Sequence, residues 1–114
     1  MTVNEIVQAL NLKTLAGSRG LKNEIAGGYT SDLLSDVMGN SEPGTVWVTL
    51  QTHKNVIAVA SLKDHAAVII VNSHTPNPET IAQAEEEGIP LLSTKMSAFE
   101  VSGKLYHLIT TKTI

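Results

Sequence analysis

An uninterrupted apolar run, Ala66 to Val71, sets the strongest constraint on the fold of this chain. Such a run is too short to cross a bilayer and is typical of a strand buried on both faces of a parallel sheet. Further strands are predicted at Thr45 to Leu50 and Ile89 to Leu92. Helices are predicted at His53 to Leu62, Glu79 to Glu87 and Ser93 to His107. Shorter extended segments are predicted at Asn11 to Arg19 and Glu24 to Tyr29. The alternation after Thr45 indicates right-handed crossovers and a largely parallel sheet.

The N-terminal half of the chain carries the patterns of two more helices. Thr2 and Glu5 have the spacing of a capping box, which predicts a helix start. A second helix is predicted behind Thr30 or Ser31, and Gly39-Asn40 would end it in a left-handed cap. The apolar faces of these two helices consist of Val3, Ile6, Val7, Leu10, Leu33, Leu34, Val37 and Met38. We therefore expect one compact α/β domain over residues 1–114, with a mostly parallel sheet flanked by helices.

Composition favours a globular protein with an aliphatic core. Hydrophobic residues make up 42% of the 114 residues, whereas aromatic residues make up only 4%. We expect no membrane contact, because no apolar run is long enough to span a bilayer. The first residues lack the pattern of a signal peptide and the chain has no cysteine, so the cytoplasm is the expected location.

The charge distribution argues against a nucleic-acid partner. The net charge is −3, Arg19 is the single arginine, and the clustered charges at Glu85 to Glu87 are negative. A nucleic-acid-binding surface would carry a basic face instead.

Polar residues follow each strand of the predicted parallel sheet. They are Gln51-Thr52-His53, Asn72-Ser73-His74 and Ser93-Thr94. Ligands of open α/β sheets sit beyond the carboxyl ends of the strands, and hydroxyls, amides and free helix N–H groups suit an anion such as phosphate or carboxylate. The alternative is that Thr52, Ser73 and Thr94 only cap helices, and the two roles can coexist.

The glycine pair Gly27-Gly28 allows two interpretations. It could form a strand-to-helix turn whose N–H groups meet an anion, or it could let two backbones pack closely within the domain or between subunits. Trp47, the single tryptophan, could pack under a helix or lie at a subunit interface.

Signs of catalysis and of metal binding are weak. The histidines, His53, His65, His74 and His107, are not spaced as a ligand set, and we expect surface or loop positions for them, with His65 in the turn before the buried strand. Asp32 and Asp36 would share one helix face, which suits acid–base work but also simply complements the helix dipole. No serine elbow or phosphate-binding Gly-Lys loop is present. We expect no enzyme activity, no cofactor and no metal site.

Several segments resemble the DRTGG domain family over most of the chain. They are Gly27-Gly28-Tyr29, Ser31 to Met38, Gly44 to His53, the strand ending in Asn72, Pro78-Glu79-Thr80 and Ile89 to Thr94. Of the signature itself only the two glycines are retained, since Glu24, Ile25 and Ala26 stand where the family has Asp, Arg and Thr. The resemblance implies a fold like the N-terminal domain of HPr kinase.

The resemblance also implies an accessory role. Similar domains accompany phosphotransacetylase catalytic domains and lie between CBS domains in regulated pyrophosphatases, where they contribute to the dimer interface. We therefore expect a free-standing, homodimeric regulatory or sensor module that binds a small anionic metabolite or adenine nucleotide and acts on a regulated enzyme in trans. Its predicted ligand-binding residues are Gly27, Gly28, Ser31, Asp32, Gln51, Thr52, His53, Asn72 and Thr94.

Two alternatives to a sensor stay open. One is an interaction domain without a ligand, which would assemble through Trp47, Leu33, Val37 and Met38. The other is a phosphoester-acting enzyme that uses Asp32, Asp36 and His53.

Overall fold

A five-stranded sheet in the order β1-β5-β4-β3-β2 organises the computed structural model, which describes residues 1–112. The strands are β1 (Lys13–Ala16), β2 (Gly27–Thr30), β3 (Thr45–Thr49), β4 (Ala67–Ile70) and β5 (Leu91–Ser93). The helices are α1 (Val3–Leu10), α2 (Leu34–Asn40), α3 (Asn55–Leu62), α4 (Pro78–Glu87) and α5 (Ala98–Thr111), with a short 3-10 turn at Ser18–Gly20. Strands β2 to β5 are parallel and β1 is antiparallel to β5. The predicted α/β class and mostly parallel sheet are confirmed.

Helices cover both faces of the sheet. On one face, α1 and α5 pack against β3 and β4 through an aliphatic cluster that includes Ile6, Val46 and Leu105. On the other face, α2, α3 and α4 pack against Trp47 and the alternate residues of the same strands. Because both faces of β3 are covered, all five of its residues are buried, instead of alternating between core and solvent. Among residues 1–112, no helix is long and apolar enough to cross a bilayer.

The helix starts show which local signals determine the structure. The helix start predicted at Thr2 is confirmed, since the Thr2 hydroxyl accepts a hydrogen bond from the N–H of Glu5 at 3.3 Å. The predicted caps of α2 are wrong: the helix starts at Leu34, behind a Leu33 cap, while the Ser31 hydroxyl accepts the N–H of Leu33 in a turn. It is followed by an extended Ser41 instead of a left-handed residue.

The last helix also begins later than predicted. Ser93 belongs to β5, and the N–H of Thr94 still bonds to the carbonyl of Ile70 at 3.1 Å. Helix α5 begins only at Ala98, where the hydroxyl of Ser97 accepts the N–H of Glu100. The residues between β5 and α5 therefore form a loop at the carboxyl edge of the sheet.

A close backbone contact fixes β1 beside β5. Gly17 has a φ of +75°, and a Cβ added to it would lie 2.0 Å from the carbonyl oxygen of Ile89. The guanidinium of Arg19 donates to the carbonyls of Glu85 and Glu86 at the end of α4. The chain after β1 is thus held against the segment that enters β5.

Candidate functional site

The predicted ligand-binding residues divide between the two edges of the sheet. Gly27 and Gly28 pair with the first residues of β3, at the amino edge, whereas the other seven follow or flank the carboxyl ends of the strands. Those seven are Ser31, Asp32, Gln51, Thr52, His53, Asn72 and Thr94. Since β2 advances about 10 Å from Gly27 to Thr30, the nine residues do not form one pocket.

The glycine pair lies inside a strand and does not form a strand-to-helix turn. Neither residue has a positive φ. A Cβ on Gly28 would lie 3.3 Å from a methyl carbon of Leu105 in α5, whereas a Cβ on Gly27 would meet no described atom within 4 Å. Of the two interpretations of this pair, close packing within the domain is the one observed.

Asp32 and Gln51 join the end of β2 to the end of β3. The carboxylate of Asp32 accepts hydrogen bonds from the Thr49 hydroxyl at 2.8 Å and from the N–H of Leu50 at 2.9 Å. The side-chain amide of Gln51 donates to the carbonyl of Asp32 at 2.8 Å. These polar groups therefore stabilise the loop that leads into α2.

Thr52 and His53 are likewise engaged within the chain. The carbonyl of Thr52 accepts the N–H of Asn77 at 3.1 Å and the hydroxyl of Thr80 at 2.7 Å. The Nδ1 atom of the exposed His53 accepts the N–H of Asn55 at 3.1 Å. Both contacts lie at helix starts, but within residues 1–112 the N-cap residues of α3, α4 and α5 are Lys54, Asn77 and Ser97, so the alternative that Thr52, Ser73 and Thr94 cap these helices is wrong.

Asp36 and Asp32 do not form a carboxylate pair. Asp36 lies in α2 and accepts hydrogen bonds from the Tyr29 hydroxyl, at 2.9 Å to each oxygen, and from the Asn40 amide at 3.1 Å, whereas Asp32 precedes the helix. Hydrogen bonding from Ser31 and then from Tyr29 lowers the pKa of Asp36, and the bond to Asp36 is the main cause that raises the pKa of Tyr29. The expected pairing of Asp32 and Asp36 on one helix face is therefore wrong.

The histidines are spread through the fold. Among residues 1–112, no group of three or more potential ligands from His, Cys, Asp and Glu could hold a metal ion. His65 lies between the turn after α3 and strand β4, close to its predicted place, but its side chain is buried, and it hydrogen-bonds to the Ser41 hydroxyl through Nε2 at 2.8 Å. Burial is the main cause that lowers its pKa to about 4.

A cavity of about 590 Å³, which we call the β1–β5 pocket, occupies the other half of the carboxyl edge. Its lining consists of Leu10, Asn11, Lys13, Leu15, Ser73, His74, Thr75, Pro76, Ser93, Thr94, Lys95 and Met96. Two lysines and one histidine line it, and no carboxylate of residues 1–112 does. Only Thr94 of the predicted ligand-binding residues is included. The lysines were missed because the pairing of β1 with β5 leaves no local pattern in the sequence.

A second cavity, of about 520 Å³, runs along the open edge of the sheet between β2 and α5. We call it the edge groove. It is lined by Gly27, Gly28, Tyr29, Thr30, Phe99, Ser102, Gly103, Leu105, Tyr106, Ile109 and Thr110, none of them charged. Phe99 and Tyr106 are 90% and 72% exposed. With Tyr29, three of the four aromatic residues of this aromatic-poor chain thus line one groove.

The predicted interface residues are not a continuous surface. Trp47 and Val37 are 0% exposed in the core beneath α2 and α3, and the indole N–H donates to the carbonyl of Ser31 at 2.8 Å. Neither side chain has surface to offer a partner, which corrects that part of the prediction. Leu33 and Met38 are exposed, so a role for them stays a prediction.

Comparison with known proteins finds the DRTGG domain both in a family model and in a solved structure. The model of the DRTGG domain matches residues 5–108. A solved structure of the CBS and DRTGG domains from the regulatory region of Clostridium perfringens pyrophosphatase, complexed with its activator diadenosine tetraphosphate, is similar with a TM-score of 0.72. The sequence identity is 15%, and the alignment covers 92% of this chain but 45% of that one. No curated protein matches.

Proposed function

Because the chain belongs to the DRTGG domain family, we propose that it works as one non-catalytic regulatory module, that it forms a homodimer, and that it responds to a small anionic metabolite or nucleotide. The similar pyrophosphatase structure is a regulatory region bound to a nucleotide activator, which supports this class of function. The module would act by contacting a regulated enzyme.

The edge groove is the observation that carries the proposal of a dimer. Within the described residues 1–112, strand β2 has a neighbouring strand on one side only, and an open edge has backbone groups available to a further chain. The exposed aromatic side chains beside it form a surface that a regulatory module would cover by assembly, because Tyr and Phe are enriched in protein interfaces.

The partner that fits this groove best is a second copy of the chain. Helix α5 presents one face to this groove with Phe99, Gly103 and Tyr106 at helical spacing. The two aromatic side chains project on either side of the glycine, which leaves a gap between them. A Cβ on Gly103 would meet no atom of residues 1–112 within 4 Å. A surface with both a projection and a gap can complement itself across a two-fold axis. The groove also has no charged lining residue among those described, so two copies can meet there without like charges coming together. This matters because each copy carries a net charge of −3 and the two therefore repel one another overall.

The dimer is tested by light scattering on purified protein. We expect the wild type to have about twice the 12.2 kDa mass of one chain and Tyr106→Asp to be monomeric, because a buried carboxylate without a partner is costly. Leu62→Asp is the matched control, since Leu62 is also 72% exposed but does not line the groove, and it should stay dimeric. A monomeric wild type, or dissociation by both variants alike, would refute this interface.

A ligand-free interaction domain is the second candidate. It is favoured by Asp32 and Gln51, whose polar groups are already used by the chain itself. Calorimetric titration with adenine nucleotides and acyl phosphates separates the two functions. Heat of binding supports the sensor, and uniform absence of heat from a well-folded dimer supports the interaction domain.

A further inference from the structure

We infer that the β1–β5 pocket binds a small organic phosphate whose non-phosphate part is apolar. This inference rests on the proposed sensor function, to which it adds a site and a ligand class. The volume of about 590 Å³ lies within the range of small-molecule sites. The pocket also lies at the carboxyl ends of β4 and β5, the edge where open α/β sheets place their ligands.

The positive charge of its lining distinguishes this pocket from the molecule as a whole. In a chain with a net charge of −3, the part of the lining that the structure describes has Lys13, Lys95 and His74 and no acidic residue. Lys13 lies opposite Ser93 in the β1–β5 register, and Lys95 follows Ser93 by two residues. Neither lysine forms an ion pair within residues 1–112. Two unpaired ammonium groups around one cavity create a local positive potential that attracts an anion.

The hydroxyl groups favour phosphate over a carboxylate. Ser73, Thr75, Ser93 and Thr94 all line the pocket. The Oγ1 atom of Thr94 accepts the N–H of Met96 at 3.1 Å, which leaves its own proton available to a ligand. Two ammonium groups and four hydroxyls are more hydrogen-bond donors than the two oxygens of a carboxylate can use. They suit a phosphate group, which has more acceptor oxygens.

The pocket is held in shape by backbone contacts between its two loops. The N–H of Asn72 donates to the carbonyl of Met96 at 2.9 Å, and the N–H of Ser73 donates to that of Thr94 at 3.0 Å. Asn72 and Ser73 both have a φ of +57°, a left-handed conformation that costs free energy in residues with side chains. With this left-handed conformation at two consecutive residues, the loop after β4 turns so that Ser73 and His74 line the pocket.

An apolar wall faces the cationic part of the lining. Leu10, Leu15 and Met96 are only partly buried and supply this wall. A ligand that consisted of phosphate alone would leave these side chains in water. A phosphomonoester with an aromatic or aliphatic group would cover them as well, and it should bind more tightly than inorganic phosphate.

Inorganic phosphate and phenyl phosphate are the probes for this site. We expect both to shift the backbone amide resonances of Ser73 and of residues 94–96 in two-dimensional NMR of the full chain, with phenyl phosphate saturating at lower concentration. Lys13→Gln combined with Lys95→Gln should weaken phenyl phosphate binding by about a hundredfold, roughly tenfold for each charge-assisted contact. Lys22→Gln combined with Lys112→Gln removes the same charge at exposed positions outside the pocket and should leave binding unchanged.

The possible results decide the inference separately from the proposed function. No shift with either phosphate would overturn the pocket assignment, while light scattering would still report whether the regulatory dimer exists. Shifts confined to residues 32 and 49–53 would place an anion site at the other half of the edge and would also overturn it. Equal weakening by both double variants would mean that net charge, rather than this pocket, holds the anion.

Discussion

His65 makes the stability of the fold depend on pH in a direction that can be measured. Its imidazole is 5% exposed and lies edge-on to Trp47, with ring centroids 5.7 Å apart. The Ser41 hydroxyl donates to the carbonyl of Val37 at 2.7 Å, so His65 Nε2 must supply the proton of its own bond to that hydroxyl. The other nitrogen, Nδ1, is buried without a hydrogen-bond partner within residues 1–112. Protonation there would create a buried charge with no acceptor.

The size of the effect follows from the two pKa values. The unfolded chain protonates this histidine near 6.5, whereas burial and, second, the positive charge of Lys63 lower the pKa of the folded state to about 4. Between these values the unfolded state binds more protons, so stability is full above pH 6.5 and falls as the pH drops towards 4. At about 1.4 kcal/mol for each pKa unit, the loss amounts to roughly 3 kcal/mol.

Urea unfolding at a series of pH values from 7 down to 4 measures this loss. His65→Gln keeps an N–H donor for Ser41 but cannot titrate, so we expect its free energy of unfolding to fall by about 3 kcal/mol less than that of the wild type over this range. The exposed His107→Gln is the matched control and should follow the wild type. If His65→Gln and the wild type lose stability in parallel, the buried neutral imidazole is not the cause.

Three further predictions concern packing and loop contacts, each measured by urea unfolding at neutral pH. Gly17→Ala should lower the free energy of unfolding by roughly 3 kcal/mol or more, because its methyl group would meet a backbone carbonyl. Gly39→Ala, in open space in α2, should instead raise it by about 0.5 kcal/mol. Equal effects of the two variants would contradict the contact. Trp47→Phe should cost about 2 kcal/mol, since the Ser31 carbonyl loses its indole donor; an unchanged midpoint would argue against that bond. Asp32→Ala should cost about 1–2 kcal/mol and Asp32→Asn less, because Asn keeps an acceptor oxygen for the two donors at the end of β3; the reverse order would refute this role.

Local patterns in the sequence were sufficient for the class of fold and the order of its elements. The apolar run from Ala66 predicts a central buried strand, and β4 (Ala67–Ile70) is that strand. The capping box at Thr2 and the glycine after Glu87 mark helix ends in the structure as well. Such signals are readable because hydrophobic periodicity and caps depend on residues only a few positions apart.

The candidate site depended on contacts that have no local pattern. The parallel pairing of β2 with β3 places Gly28 at the amino edge of the sheet. The packing of α5 against β2 brings Leu105 close to Gly28. Trp47 is buried because helices cover both faces of β3.

By itself, then, the sequence determined that this protein is an α/β domain with polar residues at the carboxyl edge of a parallel sheet. Only the tertiary structure decided which of those residues share a cavity. Lys13 reaches the pocket beside Lys95 because β1 adds to β5 in antiparallel orientation, and Phe99 meets the open edge of β2 because α5 packs across it. Both arrangements come from pairing and packing between distant segments, which the free energy of the whole core selects.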